Sequence, residues 1–334
     1  MIYYGSEVKI MNTKEQLLAL LERKKGVYFS GEEIAEKLSV SRAAVWKAVK
    51  ALRSAGYRID AAQNRGYCLS AETDILSAQG IQKYLNPVCD SMEIHVYPAL
   101  NSTNAALREK AMAGAPEGYT VIASTQTEGR GRSGRAFYSP ADTGIYMSLL
   151  LRPKYASSRQ AVRLTTMAAV AVCEAIEAVS EEKAQIKWVN DIYVRGKKVC
   201  GILTEASFGL EDGSLEFVVL GIGINVSPPA GGFPEEIKDI AGTVFHESQS
   251  DGKNRLTAEF LNRFMRYYAD PDMPDYVDNY RSRSMAIGRE IQVISPKGTQ
   301  TAVALDVDPD CRLIVEYADG RTESLYSGEI SIRL

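Results

Sequence analysis

The sequence predicts an α+β protein of several domains, because three kinds of pattern follow one another along its 334 residues. Helical periodicity followed by a short hairpin comes first. Strands joined partly by tight turns and partly by long helices come next, and a run of short alternating strands comes last. We therefore expect domains at residues 13–70, 75–284 and 285–334. The composition, 45% apolar and 24% charged, is typical of folded domains.

The first domain contains three predicted helices and a hairpin. A capping-box pattern at Ser30 begins the second helix, and Ser41 can cap the third, which we place at 42–55. Two short strands then flank a turn at 64–66. Two helices joined by a tight turn and followed by a hairpin are typical of a winged helix-turn-helix.

Charge is unevenly distributed along the chain. The whole chain carries −3, which argues against general nucleic-acid binding, yet residues 41–65 hold six basic residues and one acid. This asymmetry favours DNA contact by the first domain, although a basic helix face that merely keeps the domain soluble is the alternative. The residues that we expect at DNA are Ser30, Ser41, Arg42, Ala43, Lys47, Lys50 and Arg65.

Several function classes are disfavoured by simple counts. No apolar run reaches the roughly 18 residues of a membrane helix, and the N-terminus lacks the pattern of a secretory leader, whether translation begins at Met1 or Met11. The five cysteines lack metal-ligand or redox spacing, which favours a reducing cytoplasm. With only two histidines, His95 and His246, catalysis is expected to depend on other groups.

The second domain alternates strands and helices. Predicted strands are 93–97, 119–125, 144–151, 185–188, 192–194, 199–205 and 216–225, and predicted helices are 103–113, 159–179 and 255–268. Neighbours joined by short turns must be antiparallel, because a parallel crossover needs a longer connection. The third domain, with predicted strands 290–294, 301–307, 313–317, 321–326 and 329–333, is expected to form a small β-barrel.

The most informative motif is the arginine-glycine loop, residues 129–135, which reads Gly-Arg-Gly-Arg-Ser-Gly-Arg. Its glycines let the backbone approach a ligand, and its arginines offer planar donors to carboxylate and phosphate oxygens. A solvated basic loop or a nucleic-acid loop remains an alternative. The P-loop pattern is absent.

Three further motifs place polar groups near strand ends or glycines. They are the Lys-Trp-Val-Asn-Asp segment at 187–191, the Asn-Ser-Thr-Asn segment at 101–104 and the Gly-Ile-Gly-Ile-Asn segment at 221–225. None of the three requires a ligand. A buried tryptophan before a turn would explain the first, simple helix capping would explain the second, and close approach of another group to the backbone would explain the third. The last lacks the pattern of a dinucleotide fingerprint.

Taken together and in this order, the motifs resemble the bifunctional biotin protein ligases, over nearly the whole chain from residue 13 to 334. The resemblance is carried by Ser102-Thr103-Asn104, Gln126, the arginine-glycine loop, the 187–191 segment, Lys198 with Gly201, and the 221–225 segment. It implies a winged helix-turn-helix, a central domain related to class II aminoacyl-tRNA synthetases and a C-terminal SH3-like β-barrel.

The resemblance also implies an activity and partners. Such a protein uses ATP and Mg²⁺ to convert biotin into biotinyl-5′-AMP, and then joins biotin to a lysine of a biotin carboxyl carrier protein. With the adenylate bound, it forms a homodimer that binds operator DNA and represses biotin genes.

The resemblance also implies which residues form the site, through each position that matches a family motif. Those implied to bind biotin are Ser102, Thr103, Asn104, Gln126, Arg130, Gly131, Arg132, Lys198, Gly201, Gly221 and Gly223. Those implied to bind ATP or the adenylate are Arg132, Arg135, Phe137, Asn190, Asp191, Lys198 and Asn225. Arg132 and Lys198 are the implied catalytic residues, and Asp191 is a candidate Mg²⁺ ligand.

Two positions depart from the family pattern. Val189 stands where the family usually has proline, and Phe137 stands where some relatives have tryptophan. Neither change removes a group that takes part in chemistry, and Phe137 can still stack on adenine. The rival interpretations are a ligand-sensing repressor without turnover, a lipoate-type ligase and a synthetase acting on tRNA.

Overall fold

The structure is a computed structural model that describes residues 11–153, 158–209, 214–247, 249–270, 275–295, 298–326 and 329–332. The first ten residues, in which no leader is expected, lie outside this part of the chain, as does Arg333, the predicted end of the last strand. The chain forms two compact units. One comprises the residues up to Tyr84 with Gln249–Asn254, and the other comprises 85–248 with 255–334.

Within the described residues, the first unit contains four complete helices, a hairpin and the start of a further helix. The complete elements are α1 (Thr13–Glu22), α2 (Gly31–Leu38), α3 (Arg42–Ser54), β1 (Ile59–Ala62), β2 (Gly66–Leu69) and α4 (Ala78–Gln82). Strands β1 and β2 pair antiparallel, with Ile59 opposite Leu69. Its core collects apolar side chains of α1, α2, α3 and the hairpin, including Leu21, Ile34 and Leu52. The predicted helix-turn-helix with a wing is therefore present.

Local chemistry explains the helix ends of this unit. Ser30 Oγ accepts from Glu33 N at 3.0 Å and Ser41 Oγ accepts from Ala44 N at 3.2 Å, as N-caps do. The complete reciprocal capping box lies one helix earlier, between Asn12 and Glu15.

The wing turn requires glycine at position 66. Gly66 has φ +93°, and a Cβ there would lie 2.0 Å from Phe29 O.

The second unit contains a seven-stranded sheet. Its strands are β3 (Glu93–Tyr97), β4 (Tyr119–Ala123), β5 (Gly144–Leu151), β6 (Ala184–Lys187), β7 (Asp191–Val194), β8 (Lys197–Phe208) and β9 (Leu215–Asn225). The spatial order is β3-β4-β5-β9-β8-β7-β6. Only β3 and β4 pair in parallel, and every other neighbouring pair in this sheet is antiparallel. This confirms the predicted mixed sheet with antiparallel hairpins.

Helices of this unit pack on the sheet and on one another. They are α5 (Thr103–Met112), α6 (Ser158–Val179), α7 (Gly252–Ala269, which begins in the first unit) and α8 (Asp275–Arg283). Helix α5 forms the crossover between β3 and β4 and packs on β4, β5 and β9. Helix α6 packs on β6, β8 and α8, and the fully buried Tyr280 belongs to α8. Helices α4 and α8 have no counterpart among the predicted elements.

The C-terminal residues form a five-stranded antiparallel sheet. Its strands are β10 (Glu290–Ser295), β11 (Gly298–Val307), β12 (Leu313–Tyr317), β13 (Thr322–Leu325) and β14 (Glu329–Ile332), in the order β13-β12-β11-β10-β14. Alternate residues of β12, such as Leu313 and Val315, are fully buried, as expected for a sheet with one covered face. No helix within the described residues is long and apolar enough to cross a membrane.

Candidate functional site

A cavity of about 540 Å³ lies in the second unit, where β8 and β9 approach the start of α5. It brings together residues that are far apart in sequence, from Ser102 to Ile330. Of the predicted ligand-binding residues, those lining it are Ser102, Thr103, Asn104, Gln126, Arg130, Gly131, Arg132, Arg135, Phe137, Asn190, Asp191, Lys198, Gly201, Gly221 and Gly223. Asn225 alone of that set is not among the lining residues; its amide donates to Gly242 O at 3.1 Å.

Neutral polar groups occupy the end of the cavity next to α5. Ser102 is the N-cap of α5. The Gln126 Oε1 atom accepts from Thr103 N at 2.8 Å and from Thr103 Oγ1 at 3.1 Å, while Gln126 Nε2 donates to Ser139 Oγ at 3.1 Å. The amide of Gln126 is therefore held in one orientation, as recognition of an uncharged polar ring requires.

A buried serine that the sequence analysis missed holds this cluster together. Ser148 is fully buried in β5, and its Oγ lies 2.6 Å from Asn104 Oδ1 and 2.8 Å from Thr103 Oγ1. The Asn104 amide also donates to Glu205 Oε2 at 2.6 Å. No local pattern identifies Ser148, because β-sheet register and not sequence spacing brings it to Asn104.

Glycines on β8 and β9 make room for these side chains. A Cβ on Gly221 would lie 2.2 Å from Asn104 Oδ1, and a Cβ on Gly223 would lie 2.6 Å from the Phe137 ring. The same ring lies 3.2 Å from the position of a Cβ on Gly201. The glycines predicted at the site are thus positions of close side-chain approach to the strand backbone.

The arginine-glycine loop folds back on itself above the cavity. Gly131 N donates to Arg135 O at 2.7 Å, and Ser133 and Gly134 both have positive φ, at +54° and +73°. Arg132 Nη1 donates to Asn190 Oδ1 at 3.0 Å. Since the Asn190 amide in turn donates to Ile202 O at 2.7 Å, Arg132 is connected to the strand backbone.

Two predicted site residues form an ion pair. Lys198 Nζ lies 2.6 Å from Asp191 Oδ1, with about a quarter of each side chain exposed. Asp191 is the one carboxylate among the residues that line the cavity. The Lys198 backbone pairs with the following loop, since Lys198 N donates to Ile240 O and Gly242 N donates to Lys198 O, each at 2.8 Å.

The segment between β6 and β7 carries Val189, where the family usually has proline. The Trp188–Val189 peptide bond is cis. The indole of Trp188 donates to Cys311 O at 3.1 Å, and the Tyr280 hydroxyl donates to Val189 O at 3.2 Å. Trp188 lines the cavity and is almost completely buried, so the tryptophan before the turn is both a core residue and a wall of the site.

The cysteines do not supply a nucleophile. All five are buried and free. Burial raises the pKa of the Cys200 thiol well above its ordinary value, and burial raises the pKa of Cys311 to about 11. A neutral buried thiol is unreactive, in agreement with the expectation that catalysis rests on other groups.

The seven residues predicted at DNA are all exposed in the first unit. Arg65, on the wing, stacks its guanidinium over the Tyr28 ring at 4.0 Å from the centroid. This contact holds the Arg65 side chain against the wing. No group of three or more histidine, cysteine or acidic side chains that could hold a metal ion occurs in the part of the chain that the structure describes.

Comparison with known proteins assigns the family. The family model for biotin/lipoate A/B protein ligases matches residues 96–225, a helix-turn-helix model matches 13–68, and the model for the C-terminal domain of biotin protein ligases matches 286–333. The "Bifunctional ligase/repressor BirA" of Bacillus spizizenii is 33% identical over 96% of this chain and 98% of its own length. The protein of the same description from Escherichia coli is 27% identical over 95% and 96%.

A solved structure agrees with this assignment. The biotin protein ligase of Aquifex aeolicus, determined in complex with biotin and ATP, is 27% identical and superimposes with a TM-score of 0.61. It covers 72% of this chain and 98% of its own. On the strength of these matches and of the site geometry, the chain belongs to the bifunctional biotin protein ligases.

Proposed function

We propose that this chain is an ATP-dependent biotin–[acetyl-CoA-carboxylase] ligase and a transcriptional repressor. The observation that carries the ligase half is the cavity, because it joins neutral hydrogen-bonding groups at one end to Arg132 and Lys198 at the other. Biotin has an uncharged ureido ring and a carboxylate tail, and ATP presents phosphate oxygens. The cavity offers chemically matching groups in that order.

In the proposed first step, biotin lies with its ureido ring at Thr103, Asn104 and Gln126. An oxygen of its carboxylate attacks the α-phosphorus of ATP, and the bond from that phosphorus to the β-phosphate oxygen breaks. Pyrophosphate leaves, and biotinyl-5′-AMP remains. Arg132 and Lys198 stabilise the negative charge that builds on the phosphoryl oxygens, so catalysis consists mainly of positioning and electrostatics.

The remaining predicted ligand residues receive parts of the same ligand. We assign Arg130, Gly131, Gly201, Gly221 and Gly223 with Ser102 to the biotin side. We assign Arg135, Phe137, Asn190, Asp191 and Asn225 to the nucleotide side, with Phe137 stacked on adenine. The packing of Phe137 against the glycine backbone of β8 and β9 supports a flat aromatic surface there.

Mg²⁺ would accompany ATP, and the residues that line the cavity include one carboxylate that could bind it. Magnesium ions at nucleotides are usually held by one or two carboxylates together with phosphate oxygens and water. Asp191 is the candidate, and when bound the ion would neutralise pyrophosphate as it leaves. The nucleotide phosphates would attract Lys198 from Asp191, which frees this carboxylate for the ion.

In the proposed second step, the amine of a lysine on a biotin carboxyl carrier protein attacks the carbonyl carbon of biotinyl-5′-AMP. AMP leaves, and an amide bond forms. A mixed anhydride is already activated, so the step needs no nucleophile from this chain. The buried, protonated cysteines support this route.

For the repressor half, we propose that the adenylate-bound protein forms a homodimer on operator DNA in the cytoplasm. Two half-sites of an operator match a two-fold dimer. The exposed basic residues Arg42, Lys47, Lys50 and Arg65 support DNA contact, and the five free cysteines support a reducing compartment.

The domain organisation forms part of the proposal. We propose domains at 13–70, 75–284 and 285–334, with a central domain related to class II aminoacyl-tRNA synthetases and an SH3-like barrel at the C-terminus. The family models at 96–225 and 286–333 support the last two domains. The antiparallel pairing of β10 to β14 is compatible with a barrel.

One incubation tests the enzyme. The full chain is mixed with ATP, Mg²⁺, an apo carrier domain and either biotin or lipoate, and the carrier is weighed by mass spectrometry. Biotin is expected to add mass and lipoate is not. A gain from lipoate alone would favour a lipoate-type ligase, and tight biotin binding without any gain would favour a ligand-sensing repressor without turnover. The Lys198→Ala variant is expected to lose ATP–pyrophosphate exchange, and unchanged exchange would remove Lys198 from the mechanism.

A further inference from the structure

Helix α3 exposes a large aromatic side chain at the centre of its outer face. The side chain of Trp46 is 56% exposed, whereas Val45, Val49 and Leu52 on the inner face are almost fully buried. An indole exposed to water lacks the favourable free energy that burial of its large apolar surface would give. An exposed tryptophan therefore indicates a surface that a partner covers.

Cations surround this indole. Arg42 and Lys50 lie one helical turn before and after Trp46, and Lys47 follows it directly. Lys50 Nζ lies 5.5 Å from the centre of the Trp46 ring. Helix α3 contains no aspartate or glutamate, so nothing on it offsets these charges.

The surroundings of the indole leave it accessible to a partner. Ala43, which precedes it by one turn on the same face, has only a methyl group and is exposed. The side chain of Trp46 therefore stands above its neighbour toward the N-terminal half of the helix. That half is the part of a recognition helix that meets base edges in helix-turn-helix proteins.

An occupant of this surface must be anionic along its edges and apolar at its centre. Duplex DNA has this arrangement in the major groove, where phosphates border the base edges and the 5-methyl group of thymine is an apolar group among them. Lysine and arginine contacts to phosphate supply affinity but carry no sequence information. A group that discriminates sequence must meet a base edge, and Trp46 is central among the exposed side chains of the helix.

We propose that Trp46 is a specificity-determining residue that recognises the 5-methyl group of thymine in each operator half-site, while Arg42, Lys47 and Lys50 contact the flanking phosphates. The proposal rests on the repressor half of the proposed function. It adds which side chain reads sequence and which chemical group is read.

The test begins with a pool of random-sequence duplex DNA, from which the full chain loaded with biotinyl-5′-AMP selects its preferred duplex. Each thymine of that duplex is then replaced singly by deoxyuridine, which lacks only the methyl group. For the wild type, affinity is expected to fall about 5- to 30-fold at one position in each half-site. At the same positions the Trp46→Ala variant is expected to bind thymine and deoxyuridine equally, and Trp46→Phe is expected to restore part of the difference.

Lys50→Ala is the matched control on the same face. It is expected to weaken binding to every duplex and to lower the salt dependence, while it keeps the preference for thymine. Circular dichroism and biotin transfer check that Trp46→Ala is folded.

Three outcomes overturn the proposal in distinguishable ways. Full methyl discrimination by Trp46→Ala would show that another residue reads thymine, and it would leave the repressor function standing. A change in the oligomeric mass of Trp46→Ala without DNA, combined with unaltered methyl discrimination, would assign the indole to contact with a second copy. Failure of the wild type to select any duplex would overturn both the proposal and the repressor function.

Discussion

The hydroxyl of Ser148 donates to Oδ1 of Asn104 across a distance of 2.6 Å, from a strand whose register places Ser148 opposite Gly221. Asn104 is therefore held from two sides, by Ser148 at its oxygen and by Glu205 at its nitrogen. This arrangement fixes which atom of the amide can accept and which can donate toward a ligand. Ser148 is a positioning residue, since its contacts act through Asn104 and Thr103.

Replacing Ser148 by alanine is expected to weaken biotin binding. The substitution leaves Asn104 Oδ1 buried without its donor, which costs about 1–3 kcal/mol, and we expect the KM for biotin to rise roughly tenfold with little change in the KM for ATP. Steady-state kinetics of biotin transfer measures both constants. Ser207→Ala, on β8 outside the cavity, is the control. Equal changes in both KM values would indicate general disruption of the site and count against positioning.

Two glycine substitutions are expected to affect the two ends of the cavity separately. Gly221→Ala places a methyl group against Asn104, so the affinity for biotin should fall by at least about tenfold. Gly223 is assigned to the biotin side, but a methyl group at this position meets the ring of Phe137, which is assigned to the nucleotide, so Gly223→Ala should lower the affinity for ATP more than that for biotin. Isothermal titration of each variant with each ligand makes the comparison. Gly31→Ala, where a Cβ meets nothing closer than 3.8 Å, is the control. If both variants lose the same ligand, the assignment of the two ends is wrong.

Arg132→Ala is expected to release biotinyl-5′-AMP into solution. The substitution removes the connection from the arginine-glycine loop to Asn190 and a charged donor to the adenylate, and such bonds contribute about 1.5–3 kcal/mol. We expect the dissociation rate to increase by about 10- to 100-fold in a stopped-flow chase. Arg132→Lys should not restore retention, because lysine lacks the planar guanidinium. Arg108→Ala, exposed on α5, serves as the control, and tight retention by Arg132→Ala would refute the prediction.

Asp74 is expected to make the first unit less stable as the pH rises from about 4 to about 6. Burial raises the pKa of Asp74 from 3.8 to about 6, against the opposing effects of Lys253 and Lys25 and with a contribution from Asp251. The folded state therefore holds a proton that the unfolded state has lost, so its stability is greatest below pH 4 and decreases through pH 6. The expected loss is about 1–2 kcal/mol, since the carboxyl group is partly exposed.

Urea unfolding of the full chain between pH 4 and 7 measures this effect. Asp74→Asn removes the titration, so its free energy of unfolding should fall less than that of the wild type over the interval. Asp60→Asn, at an exposed position on the wing, is the control. Parallel curves for the wild type and Asp74→Asn would refute the prediction. Asp251 is expected to affect stability at lower pH than Asp74. Its burial is outweighed by the hydrogen bonds from Lys25 and Lys83, which lower its pKa.

The sequence predicts helix ends and tight turns correctly where they depend on residues close to one another in the chain. The caps at Ser30 and Ser41 depend on groups three residues away, and the β7–β8 hairpin follows from the Arg195–Gly196 turn. Resemblance to a family added the residues of the site, of which all except Asn225 line the cavity.

The sequence alone does not reveal contacts that depend on sheet register, and it does not reveal a helix whose buried side chains are tyrosines. Ser148 meets Asn104 only because β5, β9 and α5 are stacked in one order. Helix α8 escaped prediction because its buried side chains are the tyrosines Tyr276 and Tyr280, one turn apart, among charged residues. Trp46 was overlooked because its significance is its exposure, which sequence does not reveal.

Ile294, Ser295 and Ile330 of the C-terminal sheet line the same cavity as the motif residues. The chamber is therefore closed partly by strands more than a hundred residues beyond the arginine-glycine loop. A chain that ended before β10 would keep every motif residue and yet lose Ile294, Ser295 and Ile330 from the lining of the chamber. We expect water then to reach the activated anhydride more readily, so that the truncated protein would consume ATP and return free biotin.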